Sequence, residues 1–431
     1  MRIAFIRPSM SGRASRDALQ PLVFAVIKAL TPSHVELTFV DGTVDPVPLD
    51  LDVDAVALTV GTFTARTAYA IADAYRARGV SVVVGGFHPT ACPDEAAEHA
   101  DVVVVGEAED TWPALLDDLA AGCPRSRYSS TTHADLAALC PDWSAVTGRR
   151  YPPLGLVQFG RGCRYACEFC SVHSFFGSTI RTRPVARVIE EIDSRPERYL
   201  FFVDDNLIAD RTAATQLLDA LRPLGRRWAC QVSLDVADDP ALLRRLREAG
   251  CLMVLVGFES LDQANLQAMG KGANLRADYD RALAAIAEAG LLVYGTFVVG
   301  YDHDTADTAA ELQAFAEHHR FAVANFNPLM PMPGTRLYGR LEAGGRLRHD
   351  RWWLDPTYRY GDAMFTPTSM TPDELTAGCR QARFGFYSWP SILRRLPANA
   401  RTPDHLRFYW LANVISRAEV HAKQGRPLGA A

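Results

Sequence analysis

No apolar run in these 431 residues approaches the ~18–20 residues that cross a bilayer. The opening MRIAFIRPSMSG has neither the long apolar core nor the cleavage site of a secretion signal. Neither export nor a membrane partner is expected, and the chain is read as cytoplasmic. Positive charge is not in excess: 45 Lys and Arg stand against 50 Asp and Glu, a formal charge of −5. The basic face that nucleic acid requires is therefore missing. Paired cysteines are scarce as well. Of nine, Cys92, Cys123, Cys140, Cys230, Cys251 and Cys379 have no partner spacing, as in a reducing compartment where thiols stay free or bind metal. What remains is globular in composition, 48% hydrophobic and 22% charged, with length enough for two or three domains.

The other three cysteines are crowded into GRGCRYACEFCSVHSFFG. Cys163, Cys167 and Cys170 are spaced Cys-x3-Cys-x2-Cys, and no further cysteine follows until Cys230. Three thiolates leave a metal centre with one open position, whereas an iron–sulfur cube that only carries electrons is capped by protein on all four irons. An open iron implies chemistry. Two plainer readings stand beside it: a Cys3His zinc site completed by His173, and ordinary buried thiols. Zinc ligands usually arrive as two separated pairs, so one short loop favours the cube.

Residues 1–124 alternate short β-rich runs with helical spacing, the pattern of a doubly wound, Rossmann-like α/β domain. Small residues at the ends of its strands, Thr59, Gly61, Thr62, Gly85, Gly86 and Gly106, fall where open α/β sheets bind ligands. Residues 125–153 lose strand periodicity and read as a linker. From 154 to 345 a second alternation repeats six times, predicting a partial (β/α)6 TIM-type barrel whose reacting groups lie at the carboxyl ends of the strands. The cysteine loop follows the first of those strands. Residues 346–431 read as helical and rich in aromatics such as Trp352, Trp353 and Tyr387. These suit packing, or a cap over the barrel mouth.

The cysteine motif, with Phe169 before its last Cys on the loop after the first barrel strand, resembles the radical S-adenosylmethionine (SAM) superfamily. The domain before it, with LTVGTFTARTAYAIADAYRARG and VVVGGFHPTACPDEAAEHADVVVVGEAED, is similar to the cobalamin-binding domain of that superfamily's methylase-like class. FFVDDN, VGFES, GTFVVGYDHDT and PLMPMPGTRLY match the class segment by segment. The resemblance implies a [4Fe–4S] cluster on Cys163, Cys167 and Cys170, with SAM chelated at the open iron and Phe169 near its adenine. Asp204, Asp205 and Asn206 take the place of the family's Gly-Gly-Glu for the SAM ammonium. Gln231, Ser233, Glu259 and Ser260 are positioned for the ribose and methionine parts. Cobalamin is expected at Thr59, Gly61, Thr62, Gly85, Gly86, Phe87, His88, Gly106 and Glu107. The first turn, RPSMSGR, has no Asp-x-His-x-x-Gly, so the corrin is expected to bind without a protein imidazole.

The activity so implied is methyl transfer from SAM, via methylcobalamin, to an unactivated carbon of a small-molecule or peptide substrate, through a 5'-deoxyadenosyl radical. An electron donor of the flavodoxin or ferredoxin type is the implied partner. A ring-forming or oxidative reaction on the same cofactors is the alternative. A methylthiotransferase fits less well, because its N-terminal domain carries extra cluster cysteines and here the first cysteine is Cys92.

Overall fold

In the computed structural model, residues 1–10, 18–130, 133–149, 151–275 and 277–427 are described. The turn RPSMSGR lies outside them beyond Met10. The first sheet comprises β1 (Arg2–Arg7), β2 (Glu36–Asp41), β3 (Ala55–Thr59), β4 (Ser81–Gly85), β5 (Val102–Val105) and β6 (Arg127–Ser129). All its pairings are parallel, in the order β2-β1-β3-β4-β5-β6. Its inner strands are near-continuous Val, Ile, Leu and Ala because helices bury both faces. The order reverses between β1 and β3, and a crevice opens at the carboxyl ends of strands at such a switch point. β6 lies within the stretch read as a linker. Only Tyr128 of its three residues is buried, so the strand is too short to show a period of two.

The second sheet, also all parallel, has the order β14-β13-β12-β11-β10-β7. Its strands are β7 (Leu154–Val157), β10 (Tyr199–Phe202), β11 (Arg227–Val232), β12 (Cys251–Glu259), β13 (Leu292–Val299) and β14 (Val323–Pro328); β8 (Gly160–Arg161) and β9 (Arg181–Thr182) form a small antiparallel pair beside it. β7 and β14 are edges, so the six strands make a half-barrel with one open side. Local chemistry sets the units. The carboxylates of Asp210, Asp239, Asp262 and Asp278 accept first-turn amides of the helices that follow, the usual N-cap arrangement. Gly250 and Gly290, at φ 99° and 77°, end two helices in the left-handed region open to glycine.

The last region holds helices Pro372–Phe386, Trp389–Asn399 and Pro403–Ala422. Ahead of them, Trp352, Trp353 and Tyr358 join the core of the first domain. The Trp353 indole donates to Glu95 at 3.0 Å and the Trp352 indole to the Pro331 carbonyl at 2.9 Å. These aromatics fasten the two sheets together instead of capping the barrel. Among the described residues, no helix is long and apolar enough to cross a membrane.

Candidate active site between two cavities

The cysteine loop leaves the half-barrel between β8 and the helix Ser171–Phe176. Asp204, just past β10, holds its approach: its carboxylate accepts the amides of Phe159, at 3.0 Å, and Gly160. Burial pushes the Asp204 carboxyl up to about 7 against those two amides. Asp205 accepts the Gly162 amide at 2.9 Å. Farther along, the Glu168 amide donates to the Met269 carbonyl at 2.8 Å, and Arg340 holds the Glu168 carboxylate at 2.6 Å. The backbone of the loop is pinned at entry and in the middle.

Cys163, Cys167 and Cys170 face one cavity of ≈ 150 Å³ that Phe169, Asp205, Asn206, Gln231, Ser233 and Glu259 also line. Nine of the eleven residues expected at the cluster and SAM thus meet at the strands' carboxyl ends. Asp204 and Ser260 do not line it. Asp204 is spent on the loop amides, and Ser260, fully buried, accepts the Asp262 amide at 3.1 Å. Asn206 and Ser233 bond reciprocally, at 3.1 and 3.3 Å, which fixes both side chains.

Lys271 also lines the cavity and was not foreseen. Its ammonium donates to Glu259 at 2.9 Å. Burial works against the charge, but Glu259 and then Cys167 outweigh it and raise the Lys271 pKa. It is one of three lysines in a chain whose other cations are arginines, the one signal that could have marked it. Burial pushes the Cys167 thiol up to about 11, with Lys271 opposing. Coordination to a metal deprotonates a thiol outright. Among the described residues, no three His, Cys, Asp or Glu side chains gather closely enough for one metal ion, and His173 does not line the cavity.

A second cavity, ≈ 310 Å³, opens at the switch point of the first sheet. Thr59, Gly85, Gly86, Phe87, Gly106 and Glu107 line its rim, and apolar side chains such as Val26, Ala57 and Trp112 its depth. Gly61, Thr62 and His88 do not line it. The turn at Gly86 sends the His88 imidazole inward, where it is fully buried and bonded to Glu95 at 2.9 Å. Gly86 itself, at φ 112° and ψ −168°, occupies a region essentially restricted to glycine, and a side chain there costs about 1–3 kcal/mol. A Cβ would also stand 2.8 Å from the Val60 carbonyl oxygen. Gly86→Ala is expected to lower stability by about that amount, read by denaturant unfolding.

One network joins the two domains. Arg161 of β8, which lines the second cavity, donates to Glu107 and to Glu109, both at 2.6 Å. Arg181 of β9 reaches Glu107 at 2.9 Å. Burial would raise the Glu107 pKa, yet the bonds from Arg161 and then Arg181 hold it low. The Glu107 carboxylate is therefore committed to the domain interface. The cavity's apolar depth, its glycine rim and the Arg161 and Gln158 side chains at its wall suit a large, mostly apolar ligand with polar groups at its edge. The residues present fit cobalamin.

A half-barrel with three thiols at its mouth, docked on a doubly wound domain with a glycine-rimmed cavity, presents two candidate ligand sites. Residues 157–316 match the family model for the radical SAM superfamily, and residues 27–116 the B12 binding domain. The bacteriochlorophyllide d C-8(2)-methyltransferase of Chlorobaculum tepidum is 30% identical over 416 residues, 91% of this chain and 91% of its own. The C-12(1)-methyltransferase of the same organism is 28% identical over 408 residues, 92% of this chain and 87% of its own. The radical SAM methyltransferase TsrM from Kitasatospora setae, solved with cobalamin and a [4Fe–4S] cluster, shares the fold at a TM-score of 0.64 and 17% identity, over 97% of this chain and 88% of that one. The chain belongs to the cobalamin-binding radical SAM family, whose cofactors are a [4Fe–4S] cluster, SAM and cobalamin.

Proposed function

We propose that this protein moves a methyl group from SAM to an unactivated carbon of a small-molecule or peptide substrate. The observation that carries the reading is β8. Arg161 grips the first domain beside one cavity, and the next two residues, Gly162 and Cys163, enter the loop that lines the other. Two cofactor sites held by one strand suit a reaction in which a substrate between them meets both. The cluster supplies the electron that cleaves SAM, and cobalamin carries the methyl group.

In this reading Cys163, Cys167 and Cys170 hold the cluster, and Asp205 and Asn206 offer acceptors to the SAM ammonium. Gln231, Ser233 and Glu259 serve the ribose and methionine parts, with Phe169 beside the adenine. Lys271 offers its ammonium to the SAM carboxylate. Lys271→Met is expected to weaken SAM binding about tenfold or more, as loss of a charge-assisted bond implies, measured by equilibrium dialysis. Unchanged affinity would assign Lys271 to Glu259 alone.

The two relatives named for bacteriochlorophyllide d support a small organic molecule as the substrate. The described cysteines, all without disulfides, support action in a reducing compartment such as the cytoplasm, with a low-potential protein as reductant. The test is anaerobic reconstitution with cluster and cobalamin, then incubation with methyl-labelled SAM and dithionite. Product that gains one labelled carbon supports the reading; SAM cleavage with a cyclised or oxidised product of unchanged carbon count overturns it.

A further inference from the structure

The helix Pro403–Ala422 carries apolar side chains on its outer side as well as its inner one. Its buried side is mixed, with His405, Asn413, Ser416 and Glu419 beside Tyr409 and Val420, while Leu406, Trp410, Leu411 and Ile415 face outward, the last three 42%, 60% and 39% exposed. A surface helix normally buries its apolar stripe and exposes its polar one. The neighbouring helix Trp389–Asn399 extends the patch with Trp389 and Leu393, 42% and 53% exposed. The Trp389 and Trp410 rings meet at 5.9 Å, so the two helices present one apolar face. Of nine large hydrophobics that are exposed among the described residues, six lie here. Such concentration marks an interaction surface, not scattered exposure.

Charge selects the occupant. Residues 388–427 hold seven Arg and Lys against two carboxylates in a chain whose net charge is −5; Arg395 is buried and Arg394 pairs with Glu317 at 3.0 Å, which leaves the excess on Arg401, Arg407, Arg417 and Arg426. Both carboxylates are occupied: Asp404 by Arg227 at 2.8 Å and Arg198 at 3.2 Å, Glu419 by Lys423 at 3.2 Å. Arg407, on the outward face, makes no hydrogen bond or ion pair among the described residues, and Arg401 meets only carbonyls. A second copy docked here about a two-fold axis would bring arginines against arginines with no free carboxylate to receive them. An anionic lipid surface meets both features, since phosphates neutralise the arginines and Trp and Leu enter the headgroup–acyl boundary. Trp is enriched at that depth.

We propose that the outer face of the last two helices binds peripherally to membranes containing anionic phospholipid. The helix of 20 residues, about 30 Å long, lies in the plane of the surface, so no spanning segment is needed. The contact is independent of the chemistry in the barrel.

The test is co-sedimentation of the full-length, reconstituted protein with vesicles of phosphatidylglycerol in phosphatidylcholine and with phosphatidylcholine alone. Binding to the first, reduced more than about tenfold on the second, by high salt or by Arg407→Glu, is the expected result. Trp410→Ser with Ile415→Ser should remove binding while leaving the thermal melt and SAM cleavage unchanged, because these side chains are exposed and remote in sequence from the site. Equal sedimentation of wild-type and double variant, or none by either, overturns the proposal. So does a wild-type dimer in light scattering that the double variant converts to monomer.

Discussion

Replacing Cys163, Cys167 or Cys170 singly by Ala is expected to abolish both the iron–sulfur absorbance and 5'-deoxyadenosine formation, with a folded protein remaining. The reason is coordination number. With three thiols around one cavity, the loss of any one leaves two, too few to retain a cube whose fourth iron must stay open for SAM. Folding is not at stake, because the loop is held by other bonds: Asp204 and Asp205 on the amides of Phe159, Gly160 and Gly162, and Arg340 on Glu168. Cys167 is the most buried of the three, and Ala there costs about 1 kcal/mol of packing. Cys230→Ala is the matched control, a buried thiol outside the cavity whose loss leaves the cluster intact. Residual SAM cleavage by any of the three variants would remove the assignment.

Arg161→Ala is expected to lower stability by about 3–5 kcal/mol, the cost of leaving a buried ion pair half-made. Its side chain is 9% exposed and those of Glu107 and Glu109 are 5% and 9%. Glu107 retains Arg181, but Glu109 has no second cation among the described residues. Against a total stability of about 5–15 kcal/mol for a domain, this is a large fraction. The pairing predicts a recovery. Arg161→Ala with Glu109→Gln should be less destabilised than Arg161→Ala alone, since the second change removes the stranded charge, and the two effects should fail to add. Urea unfolding of the four proteins in the cycle measures the coupling. Additive effects would show that Arg161 acts through packing.

The parts of the site legible in the sequence are those set by local spacing. Three thiols must lie close along the chain if one loop is to offer them together, and glycines must end strands where a ligand approaches the sheet. The six-unit alternation likewise follows from apolar runs parted by helical spacing and closed by Gly250 and Gly290. What escaped depends on contacts between distant residues. Glu107 and Arg161 stand 54 positions apart, and nothing near Glu107 shows that its carboxylate is taken by another domain. His88 looks exposed beside two glycines, yet the φ of Gly86 turns it into the core. Lys271 follows a helix that only the folded barrel lays over the cysteine loop. Trp352 and Trp353 carry no mark of which domain they pack against. The outward apolar stripe of Pro403–Ala422 is written in its residues, but it becomes visible only when the buried face is known.

The strand Gly160–Arg161 also limits how this protein can be rebuilt. Because Arg161 belongs to the barrel in sequence and to the first domain in its bonds, the two halves are not interchangeable cartridges. A chimera taking its N-terminal domain from a relative must bring carboxylates at the positions of Glu107 and Glu109, or carry the β8–β9 hairpin along with the graft. Cut at the apparent boundary near residue 150, it would inherit a cysteine loop whose anchor reaches for a wall that is no longer there.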